Sequence, residues 1–208
     1  MILLRPAHCM NWLAHLFLSE PTPEFRLGSL LPDLAGPECR RPLAPDIARG
    51  IECHWRIDRF TDTHAVVRRS IGRLNRGYRR FGGILIDMFY DHFLAVDWAR
   101  YAEGSLDAFA AEVYQSLDRV REAMSPEVRH CLARMKTSNL LCSYRTIAGM
   151  EEALDRLGRR FRRSVELAPA VAELRAHYPA LRNDFAEFFP ELREQVENFC
   201  GVEPAGRG

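Results

Sequence analysis

The sequence predicts an all-α protein, a compact single-domain array of helices, and three observations carry that expectation. Apolar residues recur at three- and four-residue spacing through most of the 208 residues, strand-like alternation is absent, and Ser, Thr and Pro stand where helices need starts. With 47% apolar and 27% charged residues, the chain can bury one substantial core, and nothing forces a second domain. Residues 1–9 read as an N-terminal extension, 10–200 as the helical domain and 201–208 as a tail.

Residues 11–19 read as a short, mostly apolar helix whose strongly polar interior residue is His15. A lone His on such a face is most often a satisfied core residue. Gly28, Pro32 and Gly36 make residues 28–36 a turn-rich connection carrying Asp33, as a turn former or as a site residue. From Pro45, helical spacing runs to about residue 61, and Ile51, Trp55 and Ile57 can seat that helix on a core. Residues 61–63 read as a break and N-cap, followed by a basic helix with Arg68, Arg69 and Arg73. The apolar run over 81–98 reads as a buried central helix. Ser105 caps a helix to about residue 123, Ser125-Pro126 opens the next, and residues 139–145 break the pattern. A helix over about 147–165 bears a second basic run from Arg156 to Arg163, and residues 169–199 close the array as one or two helices.

Two clusters carry the chemistry. On a helix turning about 100° per residue, His54 and Asp58 lie one turn apart, Asp62 continues their stripe, and the break would swing His64 back toward it. Alone, these acids could equally pair with Arg56 and Arg59 on a solvated face. Asp87, Asp91 and His92 sit inside the apolar run, where a lone buried carboxylate is costly unless paired or coordinating a metal. Satisfaction by buried Arg and backbone donors is the plainer alternative; a buried polar site accounts better for both clusters. His54, Asp58, Asp87 and Asp91 are the first candidates for ligands, each pair one turn apart on a buried element. Asp33, Asp62, His64 and His92 would complete the coordination, orient ligands or move protons. Arg56 and Arg59 could hold phosphate or simply pair with Asp62. Imidazole and carboxylate without thiolate suit Mn²⁺, Fe²⁺ or Mg²⁺ better than structural zinc.

Composition narrows the classes. A net charge of +1 argues against a generic binder of nucleic acid, and no apolar stretch suits a membrane span. Residues 2–4 are too brief an apolar patch for a signal peptide. Six scattered cysteines without a CxxC pair suggest neither a zinc knuckle nor a disulfide framework, and fit reduced thiols in a cytoplasm. Repeats, Walker motifs, dinucleotide turns and nucleophile elbows are absent.

Four blocks carry a resemblance: Met10-Asn11-Trp12-Leu13-Ala14-His15-Leu16, Gly28-Ser29-Leu30-Leu31-Pro32-Asp33, His54-x3-Asp58-x-Phe60-Thr61-Asp62-x-His64, and Gly83-Ile84-x2-Asp87-Met88-x2-Asp91-His92-x-Leu94. In this order they resemble the acyl carrier protein phosphodiesterase family, distantly related to HD-type metal-dependent phosphohydrolases. The resemblance implies an HD-like helical array, manganese as the favoured metal, and His15 as a ligand or proton donor. It also implies removal of 4′-phosphopantetheine from the serine of holo acyl carrier protein by metal-activated water. Carrier proteins of this kind are acidic, so Arg69 and Arg73 in the first basic run, or else the run around Arg159 and Arg163, become expected docking residues. A nucleotide phosphohydrolase of similar chemistry and a helical binding module are the alternatives. The sequence does not speak to oligomeric state.

Overall fold

The computed structural model describes residues 11–34, 43–161 and 164–201; the expected extension at 1–9, with Met10, Gly36, Cys39, Arg163 and residues 202–208 of the tail, lies outside the described residues. Among the described residues all regular structure is helical, as the periodicity predicts. In order these are α1 (Trp12–Phe17), α2 (Pro23–Leu34), α3 (Pro45–Thr63), α4 (Ala65–Arg73), α5 (Gly82–Val96), α6 (Leu106–Arg119), α7 (Pro126–Thr137), α8 (Leu140–Ser143), α9 (Ile147–Gly158), α10 (Val171–Ala176) and α11 (Tyr178–Cys200). No helix among the described residues is long and apolar enough to cross a membrane.

Helix α5 forms the axis. Leu85, Ile86, Met88, Phe89, Phe93 and Leu94 are fully buried, so the helix is enclosed on all sides, by α1, α4, α9 and α11 among others. Each such side chain contributes about 1.5–3 kcal/mol by leaving water. The long helix α11 lies over α3, α4 and α5, where Phe185 and Phe189 stack at 5.0 Å and meet the edge of Tyr101.

Helices α2 and α3 cross backbone to backbone. A Cβ on Gly28 would lie 2.1 Å from the Ile47 carbonyl oxygen, and one on Gly50 would lie 2.3 Å from that of Phe25. This contact corrects the expected turn over 28–36: α2 runs through Gly28 to Leu34, with Pro32 in its last turn. Gly28 is there for close approach, not to end a helix.

Other boundaries shift for local reasons. Ser105 and Ser125 cap α6 and α7 as expected, their Oγ atoms accepting from Ala108 N at 3.1 Å and Val128 N at 3.4 Å. At the α3–α4 junction the cap is His64 instead of residues 61–63: its Nδ1 accepts from Val66 N at 3.3 Å. Trp55, expected against the core, is 48% exposed. Helix α9 stops at Gly158, well short of 165, because the chain folds back and Val165 N donates to Gly158 O at 3.0 Å. The expectation of reduced thiols throughout is corrected by a disulfide between Cys53 of α3 and Cys200 at the end of α11. A pair 147 residues apart leaves no trace in local spacing. Cys131 and Cys142 are free.

Candidate metal centre

The site forms where α1, α2 and α3 meet over one face of α5. Helix α1 is too short to be stable alone, and its N-cap residue, Asn11, makes no side-chain cap bond. Its start is held from another helix instead: the Asp91 carboxylate of α5 accepts from Leu13 N at 3.0 Å and Ala14 N at 2.9 Å. This satisfies two orphan donors and places a negative group at the positive end of the helix. The next residue is His15, which is thereby fixed in place.

His54 is fixed by α2. Its Nδ1 lies 2.7 Å from the Ser29 carbonyl oxygen, an approach made by the Gly28–Gly50 crossing. Its Nε2 is then turned toward Asp58, 3.4 Å away, and Asp33, 3.8 Å away. His15 Nε2 reaches the other oxygen of Asp58 at 3.3 Å, and the two imidazoles stack at 4.0 Å. One ligand atom from each of His15, His54 and Asp58 lies within 4.8 Å of the others, a group that could hold a metal ion. Asp33, on α2, accepts a hydrogen bond at Oδ2 from Trp12 Nε1 at 3.0 Å, leaving Oδ1 as the atom nearest His54.

Burial sets the electrostatics. His15, His54, Asp33, Asp87 and Asp91 are all buried, while the Asp58 side chain keeps 22% of its surface and opens the site to solvent. Burial pushes the Asp33 carboxyl up to about 7, with the charges of Asp58 and Asp87 adding to it against His54 and Trp12. Burial likewise raises Asp91 well above the ordinary carboxylate range, opposed by its two backbone donors. Asp58 goes the other way: burial would raise it, but hydrogen bonds from His15 and His54 more than offset that and hold it low. For His54, burial acts downward, yet the Asp58 hydrogen bond and the charges of Asp33 and Asp58 carry it up to about 9. The two imidazoles and the Asp58 carboxylate, with Asp33 beside them, form a group that could hold a divalent cation. Nitrogen and oxygen donors without thiolate fit Mn²⁺, Fe²⁺ or Mg²⁺.

The remaining expected residues have other surroundings. His92, next to Asp91, points away, its Nδ1 2.8 Å from Tyr144 O and its Nε2 3.0 Å from the Tyr178 hydroxyl. Burial lowers its pKa. His64 lies 3.3 Å from Glu191 and packs on Phe60 and Phe188, so the break does not swing it to the His54 face. Asp62 is exposed on the last turn of α3. Arg56 donates to Glu52 at 2.7 Å instead of pairing with Asp62, and Arg59 is exposed. Arg69 and Arg73, expected to be a docking face, converge on the buried Asp184 of α11: Nε of each donates to it at 2.9 Å. Arg69 also bonds Glu187, and Ser70 donates to Asp184 at 2.8 Å. Trp12 stands in the first sequence block without a role, and Asp184 escaped the sequence reading; an aromatic on a short apolar helix and an acid on an amphipathic one look ordinary.

Residues 10–192 match the family model for acyl carrier protein phosphodiesterase. The chain belongs to that family. Among its relatives is an acyl carrier protein phosphodiesterase of Photorhabdus laumondii, 28% identical over 190 residues, covering 91% of this chain and 96% of the relative. One from Escherichia coli O45:K1 is 28% identical over 188 residues, covering 90% and 97%; one from Yersinia pestis is 28% identical over 197 residues, covering 91% and 98%. No solved structure matches the chain. The family match spans every helix that builds the site, so the resemblance in the four sequence blocks holds at the level of the family.

Proposed function

We propose that this protein hydrolyses the phosphodiester joining 4′-phosphopantetheine to the serine of holo acyl carrier protein, giving apo carrier protein and 4′-phosphopantetheine. The observation that carries the reading is the His15, His54 and Asp58 group, built from the family's own sequence blocks and opening to solvent at Asp58. His54 Nε2, His15 Nε2 and an Asp58 oxygen are the atoms that would hold a divalent cation, manganese in the reading the family suggests, and Asp33 Oδ1 stands beside them. Such a cation, when bound, supplies Lewis acidity toward the phosphoryl oxygen and acidifies water at the site. The chain's own contribution is orientation. Ser29 O fixes the ring of His54, Trp12 Nε1 fixes the carboxylate of Asp33, and Asp91 fixes the helix that carries His15. His54 must give up the proton that its acidic neighbours favour before it can ligate, so metal loading releases protons and weakens as pH falls.

The test is incubation of holo acyl carrier protein with the purified protein, with and without Mn²⁺, followed by intact-mass measurement. Loss of the phosphopantetheine mass from the carrier, dependent on metal and stopped by chelator, is the expected result. A carrier mass unchanged at saturating Mn²⁺ would sink the reading.

A further inference from the structure

Helices α7 and α9 contribute to a cavity of about 540 Å³ whose lining divides by chemistry. Trp12, Met135 and Leu140 form a buried apolar wall. Arg134, in the last turn of α7, is exposed at the rim. Arg156 lies in the last turn of α9, and Arg159 and Arg160 follow just past the end of that helix at Gly158. Arginines near helix C-termini complement the carbonyl ends, which accounts for the residue type at these positions. It does not account for the acceptors that two of the guanidinium groups lack.

Arg156 reaches Glu152 through Nη1 at 3.5 Å, while its Nη2 is buried without a hydrogen-bond partner among the described residues. A charged N–H taken out of water with nothing to donate to is costly. Arg160 lies 5.8 Å from the Trp12 ring centre, and its Nη2 donates to Cys131 Sγ at 3.1 Å, a weak acceptor. Asp155 is the acid in the lining, and it is taken by the exposed Arg159 at 2.9 Å. What the cavity is short of is an acceptor for Arg156 and Arg160.

Volume and shape specify the occupant. A carboxylate fills one planar fork, whereas a phosphate monoester, with three terminal oxygens and nearly two charges at neutral pH, can accept from two forks at once. Bare phosphate would leave most of this volume empty and the wall of Trp12, Met135 and Leu140 uncovered. Small-molecule sites of this size hold an apolar body on their lining and fix its direction with a few polar groups. The geometry points to a binding site for a small phosphate monoester, separate from the metal centre, with the dianionic head on Arg156 and Arg160 and an apolar body against Trp12, Met135 and Leu140. This site does not rest on the hydrolysis proposed above.

The experiment is calorimetric titration of the full-length protein with phenyl phosphate, inorganic phosphate and benzoate, in chelator and again with Mn²⁺. One phenyl phosphate per chain should bind in chelator, where the carboxylates of the metal centre repel a dianion. Arg156→Gln and Arg160→Gln should each weaken that binding roughly tenfold, about the worth of one charge-assisted hydrogen bond. Melting curves identify a variant that has failed to fold, and the other then carries the comparison. Arg76→Gln, exposed and outside the lining, should bind as wild type does. Inorganic phosphate should bind about tenfold more weakly for want of the apolar contact, and benzoate should also bind more weakly than phenyl phosphate. No heat with phenyl phosphate in chelator would overturn the inference, as would binding that appears only with Mn²⁺, which places the ligand at the metal centre. Equal losses in Arg76→Gln would reduce the effect to net charge and overturn it too. Benzoate binding as tightly as phenyl phosphate would overturn the dianionic head, and inorganic phosphate doing so would overturn the apolar body.

Discussion

His54 and Asp58 on α3, and Asp87 and Asp91 on α5, have the same one-turn spacing, yet the fold places them in different surroundings. Helix α3 lies at the edge of the core with Asp58 part open to solvent, so its pair turns side chains into a shared space with His15. Helix α5 is enclosed, and Asp91 there is committed to two backbone N–H groups of α1. The carboxylate at the mouth meets two imidazoles, whereas the buried one is occupied with holding another helix. The spacing that makes both pairs look like ligand pairs is thus compatible with two unlike jobs, and what separates them is which donors the neighbouring helices present.

The largest expected effect breaks the α3 side. Asp58→Ala removes the one carboxylate that both imidazoles share, and activity on the carrier protein should fall by more than about a hundredfold, beyond the 10–100-fold that loss of a metal-orienting partner costs. The helical signal should stay near wild type, because the contacts of Asp58 among the described residues are with the imidazoles of His15 and His54. Circular dichroism beside the hydrolysis assay checks this; more than a tenth of wild-type activity with metal bound would remove Asp58 from the ligand set.

On the α5 side the order of effects should reverse. Asp91→Ala leaves the buried Leu13 N and the partly buried Ala14 N unpaired, costing roughly 2–4 kcal/mol, and frees the helix that carries His15. The unfolding midpoint in denaturant should drop, and Asp91→Asn, which keeps one acceptor, should recover part of it. An unchanged midpoint together with lost activity and lost metal would mean that Asp91 is a ligand after all.

How much of this was open to sequence reading depended on whether the cause was local. The helices, the Ser105 and Ser125 caps and the buried character of α5 follow from residues close together in the chain, and they were legible. The pairing of His54 and Asp58 was legible too, since one helix carries both. What α3 meets was not. Gly28 reads as a breaker until α3 passes within contact of it, and only that crossing puts Ser29 O against His54. His64 and His92 look like members of the same clusters, but a junction cap and a pair of tyrosines determine their directions. The arginines of α4 look free until α11 brings Asp184 beneath them.

That last contact gives a pH test of a third acid against the first two. Burial acts to raise the Asp184 carboxyl, but Arg73, Ser70 and Arg69 together hold it below the ordinary carboxylate value. A depressed carboxylate contributes stability that is fully present above its unfolded pKa, about 3.9, and lost as pH falls through the lower folded value. Thermal stability should therefore fall on acidification below about pH 4, and Asp184→Asn should be less stable at pH 7 while losing less of its stability in acid. The two arginines are partly exposed, so the cost at neutrality is expected to be about 2 kcal/mol, below the range for fully buried pairs. Parallel acid unfolding curves for the two proteins would show that the contribution of Asp184 does not depend on its charge.

The smallest expected effect lies between the regions, at Trp12. Its indole N–H is the fixed donor to Asp33, and Asp33 Oδ1 stands 3.8 Å from His54 Nε2. Trp12→Phe keeps an aromatic ring on α1 but removes the donor, leaving Asp33 free to rotate and, with one lowering influence gone, more readily protonated. Outer partners of this kind typically tune metal affinity by about 10–100-fold, and the lower end is expected here because His54 still attracts the carboxylate. Mn²⁺ titration followed by activity should move to about tenfold higher metal, with kcat at saturation changed much less. If kcat falls while the metal titration stays in place, Asp33 acts on the proton or the phosphate instead of on the metal, and the donor set narrows to His15, His54 and Asp58.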